Sequence, residues 1–510
     1  MFFKKYIGVF VVLLLSFWAI KPFFTPGFFP MHDDTQVARV FEMGKALQDG
    51  MFPVRWVEDL GYGYGYPIFN FYAPLAYYVG GLFTLLGFDA LISTKIMMGI
   101  GILLSGIFMY LLAREFWGEM GGVLSGLFYL YAPYHALDIY VRGDVAEFWA
   151  YAFIPLMFWG FYKVFDSPRR SPSVTSEVGP SWKWVVVGSL GYAGVILSHN
   201  LTAMMVTPFL IIVILLYCYI VYKRKKLLTT YYLLLTAVLG LVLSAFYWLP
   251  ALLEMKYTNV LSQIGGGADF RDHFVCINQI WESNWGFGGS APGCMLDGMS
   301  FVIGKLHILS FVVSVALFVL TLLRVITGYY EKIKEKMLVV IISIFGFLIS
   351  VFLMLEVSKP VWELLEPMAF FQYPWRFLLL ASFFSSFLSG SILMFLNKGS
   401  FKKYGLYITI ILVVLLISFN IKLFNPQTVL SKTSFDYTNE YALKWTASKI
   451  SDEFLPPNFK KPKSEREIAK RPAILPQETP VQKIANAITL SGIAILTLGI
   501  IIKDRKRLSV

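Results

Sequence analysis

Charge is scarce in this sequence. Asp, Glu, Lys and Arg make up 15% of its 510 residues, where a soluble domain carries about 25%, while 57% are hydrophobic and the mean hydropathy is +0.64. So few charges cannot coat a soluble particle of this size, which excludes an ordinary water-soluble fold. Cysteine is nearly absent as well: three residues exclude a disulfide framework. Cys218 lies in an apolar run and reads as a buried thiol. Cys276 and Cys294 share one polar loop, where a bridge is permitted but the free thiols fit equally well. Nucleotide chemistry has no support. There is no P-loop, dinucleotide fingerprint, zinc spacing or serine nucleophile elbow, and Gly265-Gly-Gly267 lacks the strand–helix setting of a phosphate cradle. No repeat of fixed period is present, which weakens the duplicated-half transporter architectures.

What is abundant is long apolar runs, most reaching the ~17 residues or more that a helix needs to cross a bilayer core. Thirteen are visible, at roughly 6–24, 72–86, 93–113, 121–137, 147–165, 184–198, 201–222, 229–252, 306–327, 337–355, 375–396, 404–421 and 484–501. The first resembles a signal peptide, but Lys21-Pro22-Phe23-Phe24 follows it in place of a small-residue cleavage site, so it reads as a retained span. The net charge of +12 would suggest a nucleic-acid partner in a soluble protein. Here Lys and Arg flank the apolar runs and read as orientation signals, so no nucleic acid is expected.

Those flanking charges set the topology. Lys4 and Lys5 precede the first run, and Lys503, Arg505, Lys506 and Arg507 follow the last, so both termini are expected in the cytoplasm and the number of crossings is even. The inner-loop clusters (Lys163, Arg169, Arg170 and Lys183; Lys223 to Lys226; Arg324, Lys332, Lys334 and Lys336; Lys398, Lys402 and Lys403) share one parity only if one early run does not cross. That run is 72–86, which follows the Gly/Tyr-rich stretch Gly61-Tyr-Gly-Tyr-Gly-Tyr66-Pro67 and reads as a helix lying at the outer interface. The expected fold is all-α and polytopic, with about twelve transmembrane helices. Residues 1–422 would form the main transmembrane domain with outer loops 25–92, 138–146 and 253–305. Residues 423–483 would form a short extracytoplasmic segment, and 484–510 the last helix with a basic cytoplasmic tail.

The ionisable residues gather in the outer loops. Pro30-Met-His32-Asp33-Asp34 precedes a stretch with helical spacing ending near Leu47. One Asp suffices to cap a helix, and two with a His exceed that need. In Arg142-Gly-Asp144-Val-Ala-Glu147 the two acids fall on one helix side, where they could form a capping box or a site, with Arg142 holding them or binding an anion. His199 sits at a turn between spans. Arg376, in Gln372-Tyr-Pro-Trp-Arg376, suits a phosphate, although an Arg at a span entry can also snorkel to the interface beside Tyr and Trp. Converging, Asp33, Asp34, Asp144, Glu147 and His199 could bind a divalent cation such as Mg²⁺ or Mn²⁺, or use one carboxylate as a base without metal.

The order His32-Asp33-Asp34…Arg39, Asp49-Gly-Met-Phe-Pro53, Gly65-Tyr-Pro67 and Tyr72-Ala-Pro-Leu75 resembles the GT-C superfamily of membrane glycosyltransferases. More narrowly, it is similar to prokaryotic membrane proteins labelled 6-pyruvoyl-tetrahydropterin synthase-related. Trp285-Gly-Phe-Gly-Gly-Ser290, Asp297-Gly-Met-Ser-Phe301 and Gln372-Tyr-Pro-Trp-Arg376 look like their later motifs. The resemblance implies transfer of a sugar from a polyprenyl-phosphate donor to a glycan, lipid or protein acceptor on the extracytoplasmic face, with inversion. It implies Asp33, with Asp34 in reserve, as base or metal ligand. Asp144 and Glu147 would help bind metal or donor phosphate, and Arg376, with Arg142 and His199, would hold the phosphate. The segment 423–483 departs from relatives that carry a large β-rich outer domain. The competing classes are a transporter or lipid flippase, which calls for charges in mid-span, and a non-catalytic envelope protein of the same fold.

Overall fold

The computed structural model describes residues 2–166, 180–223, 227–265, 268–325, 334–396 and 404–508. Arg169, Arg170, Arg224, Lys225, Lys226, Gly266, Gly267, Lys332, Lys398, Lys402 and Lys403 lie outside them. So do the side chains of Lys4, Lys5, Arg324, Lys334, Lys503, Arg505, Lys506 and Arg507. The described chain is helical, and its strand-like pairing is confined to isolated bridges such as Phe28 with Leu430.

Eight described helices are long and apolar enough to cross a membrane, or ten when each of two bent pairs counts as one span. The difference from twelve has two sources. The runs at 93–113 and 121–137 are counted as one segment, Ala90–Arg142, although it is broken at Gly118, whose φ of +77° reverses the chain without a Cβ clash, and again at the extended Ala132. Trp182–Ser198 is apolar but has 17 residues. The run at 72–86 is an 11-residue helix, Leu75–Leu85. At 1.5 Å per residue it extends roughly 16 Å, too short for a ~30 Å hydrocarbon core.

The chain folds as two compact units whose segments interleave along the sequence. The first comprises Met1–Asp34, Met98–Phe148 and Ser262–Thr433. Its centre is the span Pro374–Phe395, 94% of whose apolar window is buried. A ridge of Ser382, Ser385, Ser386, Ser389, Gly390 and Ser391 lets neighbouring backbones approach closely. A Cβ on Gly390 would stand 2.4 Å from the Gly121 carbonyl oxygen. Trp117 Nε1 and Ser125 Oγ both donate to the Phe387 carbonyl, at 2.8 and 3.0 Å. The N-terminal end of this immobilised helix carries Tyr373-Pro-Trp-Arg376.

The second unit comprises Thr35–Met97, Trp149–Leu261 and Ser434–Val510. Leu75–Leu85 packs on Gln36–Gln48 through Gly80 against Val40 and Gly81 against Met43. The last span is tied down by a buried polar cluster. Glu254 accepts from Asn70 Nδ2 at 2.8 Å and Gln482 Nε2 at 2.9 Å, and Arg55 donates to Asn70 at 3.1 Å and Asn486 at 2.8 Å. Within the segment 423–483 the chain forms the short helix Ser434–Thr438, a helical stretch over 440–450 that includes a π-turn at Ala442–Ala447, and a 3-10 turn at Glu465–Glu467.

Glu42 is fully buried in this unit. Its Oε2 accepts the Asp59 N–H at 3.3 Å, while Oε1 has no hydrogen-bond partner among the described residues. Burial, with the nearby Asp59 charge adding to it, pushes the carboxyl up from 4.5 to about 8. The unfolded chain releases this proton near pH 4.5 and the folded chain near pH 8. Stability is therefore full below the lower value and falls as pH rises through the higher one, by on the order of a few kcal/mol. Thermal unfolding in detergent from pH 5 to pH 9 should show that decline, and Glu42→Gln should flatten it.

Candidate active site

The site begins with a local break. After the long apolar segment the chain makes a π-helical turn, Asp138–Arg142, then Gly143 at φ +66°, then the helix Val145–Asp166. Asp144 caps that helix, its Oδ1 accepting the Glu147 N–H at 3.0 Å, while its own N–H donates to Asp138 O at 3.2 Å, so the cap is single-sided and not a full capping box. It does not exhaust the cluster. Gly143 is also where the first outer loop crosses, since a Cβ there would lie 2.1 Å from Met31 Sδ. The next two residues pair with this turn: His32 N–H donates to Val141 O at 3.1 Å and Asp33 N–H to Arg142 O at 3.0 Å. Two loops more than a hundred residues apart are thus fixed to each other by backbone hydrogen bonds.

Arg142 organises the acids. Its Nη1 donates to Asp138, to Glu147 Oε2 at 2.9 Å and to Tyr134 Oη at 3.1 Å, and its Nη2 donates to Asp144 Oδ2 at 2.9 Å. Tyr134 donates in turn to Glu147 Oε1. The guanidinium carbon lies 4.7 Å from the centre of the Trp375 ring, so one face is covered by an aromatic wall. Arg142 is 6% exposed, Asp144 4% and Glu147 and Asp138 1%, so each charge depends on the others for compensation.

Arg376 has the opposite character. It is buried, with Nε 3.8 Å from Glu147 Oε2. Nε and Nη1 make no hydrogen bond among the described residues, and neither does the indole N–H of Trp375. Donors at such depth without acceptors are costly. Both residues line a cavity of about 270 Å³ together with His32, Asp33, Arg142, Asp144, Gly289, Ser290, Met299 and Tyr373. The cavity is thus lined by two acidic residues and two arginines, with unfilled N–H donors among its lining residues, a composition suited to a ligand with hydroxyl and anionic groups.

The structure brings Asp33, Arg142, Asp144 and Arg376 to this one cavity. Glu147 stands behind the wall as a counter-ion, with both oxygens engaged. Asp34 is not on the wall; burial raises its carboxyl pKa and Lys432 opposes the rise. His199 belongs to the second unit, where its Nδ1 lies 2.8 Å from Thr202 Oγ1. Arg376 does not snorkel, and Trp375, 3% exposed, is no interface anchor. The sequence reading missed Asp138 and Tyr134. The spacing of four between Asp138 and Arg142 was the available signal for the first, whereas nothing local marks Tyr134. The left-open pair Cys276 and Cys294 is a disulfide.

Residues 69–263 match the model of the 6-pyruvoyl-tetrahydropterin synthase related domain, described as a membrane protein. That stretch contains Arg142, Asp144 and Glu147 and leaves Asp33 and Arg376 outside. An uncharacterized protein of Lactococcus lactis subsp. cremoris (strain MG1363) is 26% identical over 217 residues, which are 41% of this chain and 33% of that protein. The chain is also similar to the Archaeoglobus fulgidus oligosaccharyltransferase solved with a tethered acceptor peptide containing the NVT sequon. The identity is 12% and the TM-score 0.49, over 94% of this chain and 61% of that one. The arabinofuranosyltransferase AftD from Mycobacteria gives 13% and 0.43, over 84% and 27%. The chain therefore spans less than two thirds of these relatives, and likeness at this level says nothing about chemistry.

Replacing Arg142 by Met would leave three buried carboxylates without their main counter-ion. The expected loss is about 3–5 kcal/mol of stability. Arg142→Lys should recover only part of it, since one ammonium cannot reproduce the fork. Thermal unfolding of the solubilised variants measures both.

Proposed function

We propose that this chain is a membrane glycosyltransferase that moves a sugar from a polyprenyl-phosphate donor to an acceptor hydroxyl on the extracytoplasmic face. The observation that carries the reading is the shared cavity: Asp33 and Arg376 line the same space of about 270 Å³, and Nε and Nη1 of Arg376 make no hydrogen bond among the described residues. The family resemblance points the same way.

The acceptor oxygen attacks the anomeric carbon as the bond from that carbon to the phosphate oxygen breaks. The acceptor proton passes to Asp33, and polyprenyl phosphate leaves with the bonding electron pair. One direct displacement inverts the sugar carbon. The leaving group is already an anion of low basicity, so no general acid is required, and the work left is base catalysis and charge stabilisation. Arg376 and the Trp375 indole receive the phosphate. Arg142 acts through the acids it holds, with Nη1 engaged by Asp138 and Glu147 and Nη2 by Asp144. Both oxygens of Asp144 and of Glu147 accept a hydrogen bond within the cluster. A Mg²⁺ or Mn²⁺ ion would be held by Asp144 and Glu147 through their remaining lone pairs.

Transport fits less well. The cluster lies where Ala90–Arg142 ends and where Val145–Asp166 and Pro374–Phe395 begin, whereas a transport pathway places its charges along mid-span. A disulfide in the same unit supports an oxidising, extracytoplasmic setting for the cavity.

With purified protein and a panel of polyprenyl-phosphate sugars, wild type should transfer or hydrolyse at least one. Asp33→Asn should reduce turnover at least a hundredfold with donor binding retained. Arg376→Gln should weaken donor binding about tenfold or more. Full activity in Asp33→Asn removes that residue from the mechanism. A reporter fused after Lys226 should read cytoplasmic and one fused near Gly289 external; reversed signals would overturn the sidedness.

A further inference from the structure

The sequence motif Trp285-Gly-Phe-Gly-Gly-Ser290 has no part in the chemistry above, yet its last two residues line the cavity. The loop that carries it is built more rigidly than its glycine content suggests. The Cys276–Cys294 bridge closes it. Gly288 N–H donates to Gly298 O and Gly298 N–H to Gly289 O, both at 2.9 Å, so the loop folds back on itself. The contact is close enough that a Cβ on Gly286 would sit 2.2 Å from the Gly298 oxygen. Asp297 fastens the fold by accepting from Gln279 Nε2 at 2.8 Å and from Ala291 N–H at 2.9 Å. His32 Nε2, from the first outer loop, lies 3.1 Å from the Phe287 carbonyl oxygen.

Ser290 is held on both sides. His273 Nδ1 lies 2.8 Å from its Oγ, and Asp297 Oδ1 lies at 3.4 Å, at the weak end of hydrogen bonding. His273 is 5% exposed and packs edge-on against Tyr373, another residue of the cavity wall, at 4.9 Å between ring centres. With its proton on Nδ1, His273 donates to the serine oxygen. The serine O–H then has only the long Asp297 contact to satisfy it among the described residues, and it is available to a ligand. We propose that Ser290 is a third donor to the anionic group received by Arg376 and the Trp375 indole, and that His273 is its positioning residue. This inference rests on the phosphate reading of the cavity and assigns that site a residue on the disulfide-closed loop.

The test uses full-length protein in detergent, with polyprenyl phosphate lacking a sugar as probe, binding read by competition, and turnover measured in parallel. Ser290→Ala should weaken binding about tenfold and raise the donor KM while kcat changes less than threefold. Ser290→Thr should restore it. His273→Ala should behave like Ser290→Ala, and His273→Asn, which keeps an N–H near the Nδ1 position, should recover most of the loss. The Ser290→Ala, His273→Ala double variant should be no worse than either single one. Unchanged binding in Ser290→Ala, alongside weakened binding in Arg376→Gln, overturns the inference and leaves the glycosyltransferase reading standing. Failure of wild type to bind polyprenyl phosphate at all overturns the reading itself.

Discussion

Arg142 is the constraint on which the rest of the site depends. A guanidinium has five donors in a fixed plane, and here they hold Asp138, Asp144, Glu147 and Tyr134 at once in a place almost closed to water. Such a cluster is not an efficient way to gain stability, since desolvating its charges offsets most of their attraction. Its effect is geometric. With Nη1 and Nη2 engaged in one arrangement, the π-turn and the start of Val145–Asp166 cannot shift without leaving a buried charge exposed to apolar surroundings.

Everything else at the cavity is registered against that fixed point. The backbone of the first outer loop pairs with the turn at Val141 and Arg142, which sets Asp33 beside it. The indole of Trp375 covers the guanidinium, which sets the entry of Pro374–Phe395 and therefore Arg376. Gly143 permits the approach twice over, by its positive φ and by leaving room for Met31. The result separates two kinds of arginine. One is engaged through both terminal nitrogens by protein acids and positions them; the other is buried with Nε and Nη1 making no hydrogen bond among the described residues.

Interleaving sets how a membrane chain achieves this. The first unit takes its segments from the beginning, the early middle and the later half of the sequence, so the residues of the cavity come from parts of the chain separated by more than three hundred positions. In a bilayer, neighbouring helices gain little from burying apolar surface, and contacts are won by small residues and hydrogen bonds. The serine and glycine ridge of Pro374–Phe395, and the donation of Trp117 and Ser125 to Phe387, are contacts of that kind.

Hydrophobic run length by itself determined that the chain is a polytopic helical protein, because a backbone that crosses lipid must satisfy its own hydrogen bonds. Local spacing was also enough to single out Asp33, Asp144, Glu147 and Arg376 as chemically unusual. Three things were decided only by tertiary structure. Which acid of the Asp33–Asp34 pair meets the cavity depends on the backbone pairing of its loop. Whether Arg142 binds a ligand or protein carboxylates depends on Asp138 and Tyr134 arriving from the preceding turn. Whether Arg376 reaches lipid or stays buried depends on what packs around its helix. Each is a question of which partner satisfies a charge or a donor, and partners distant in sequence leave no periodic trace in it.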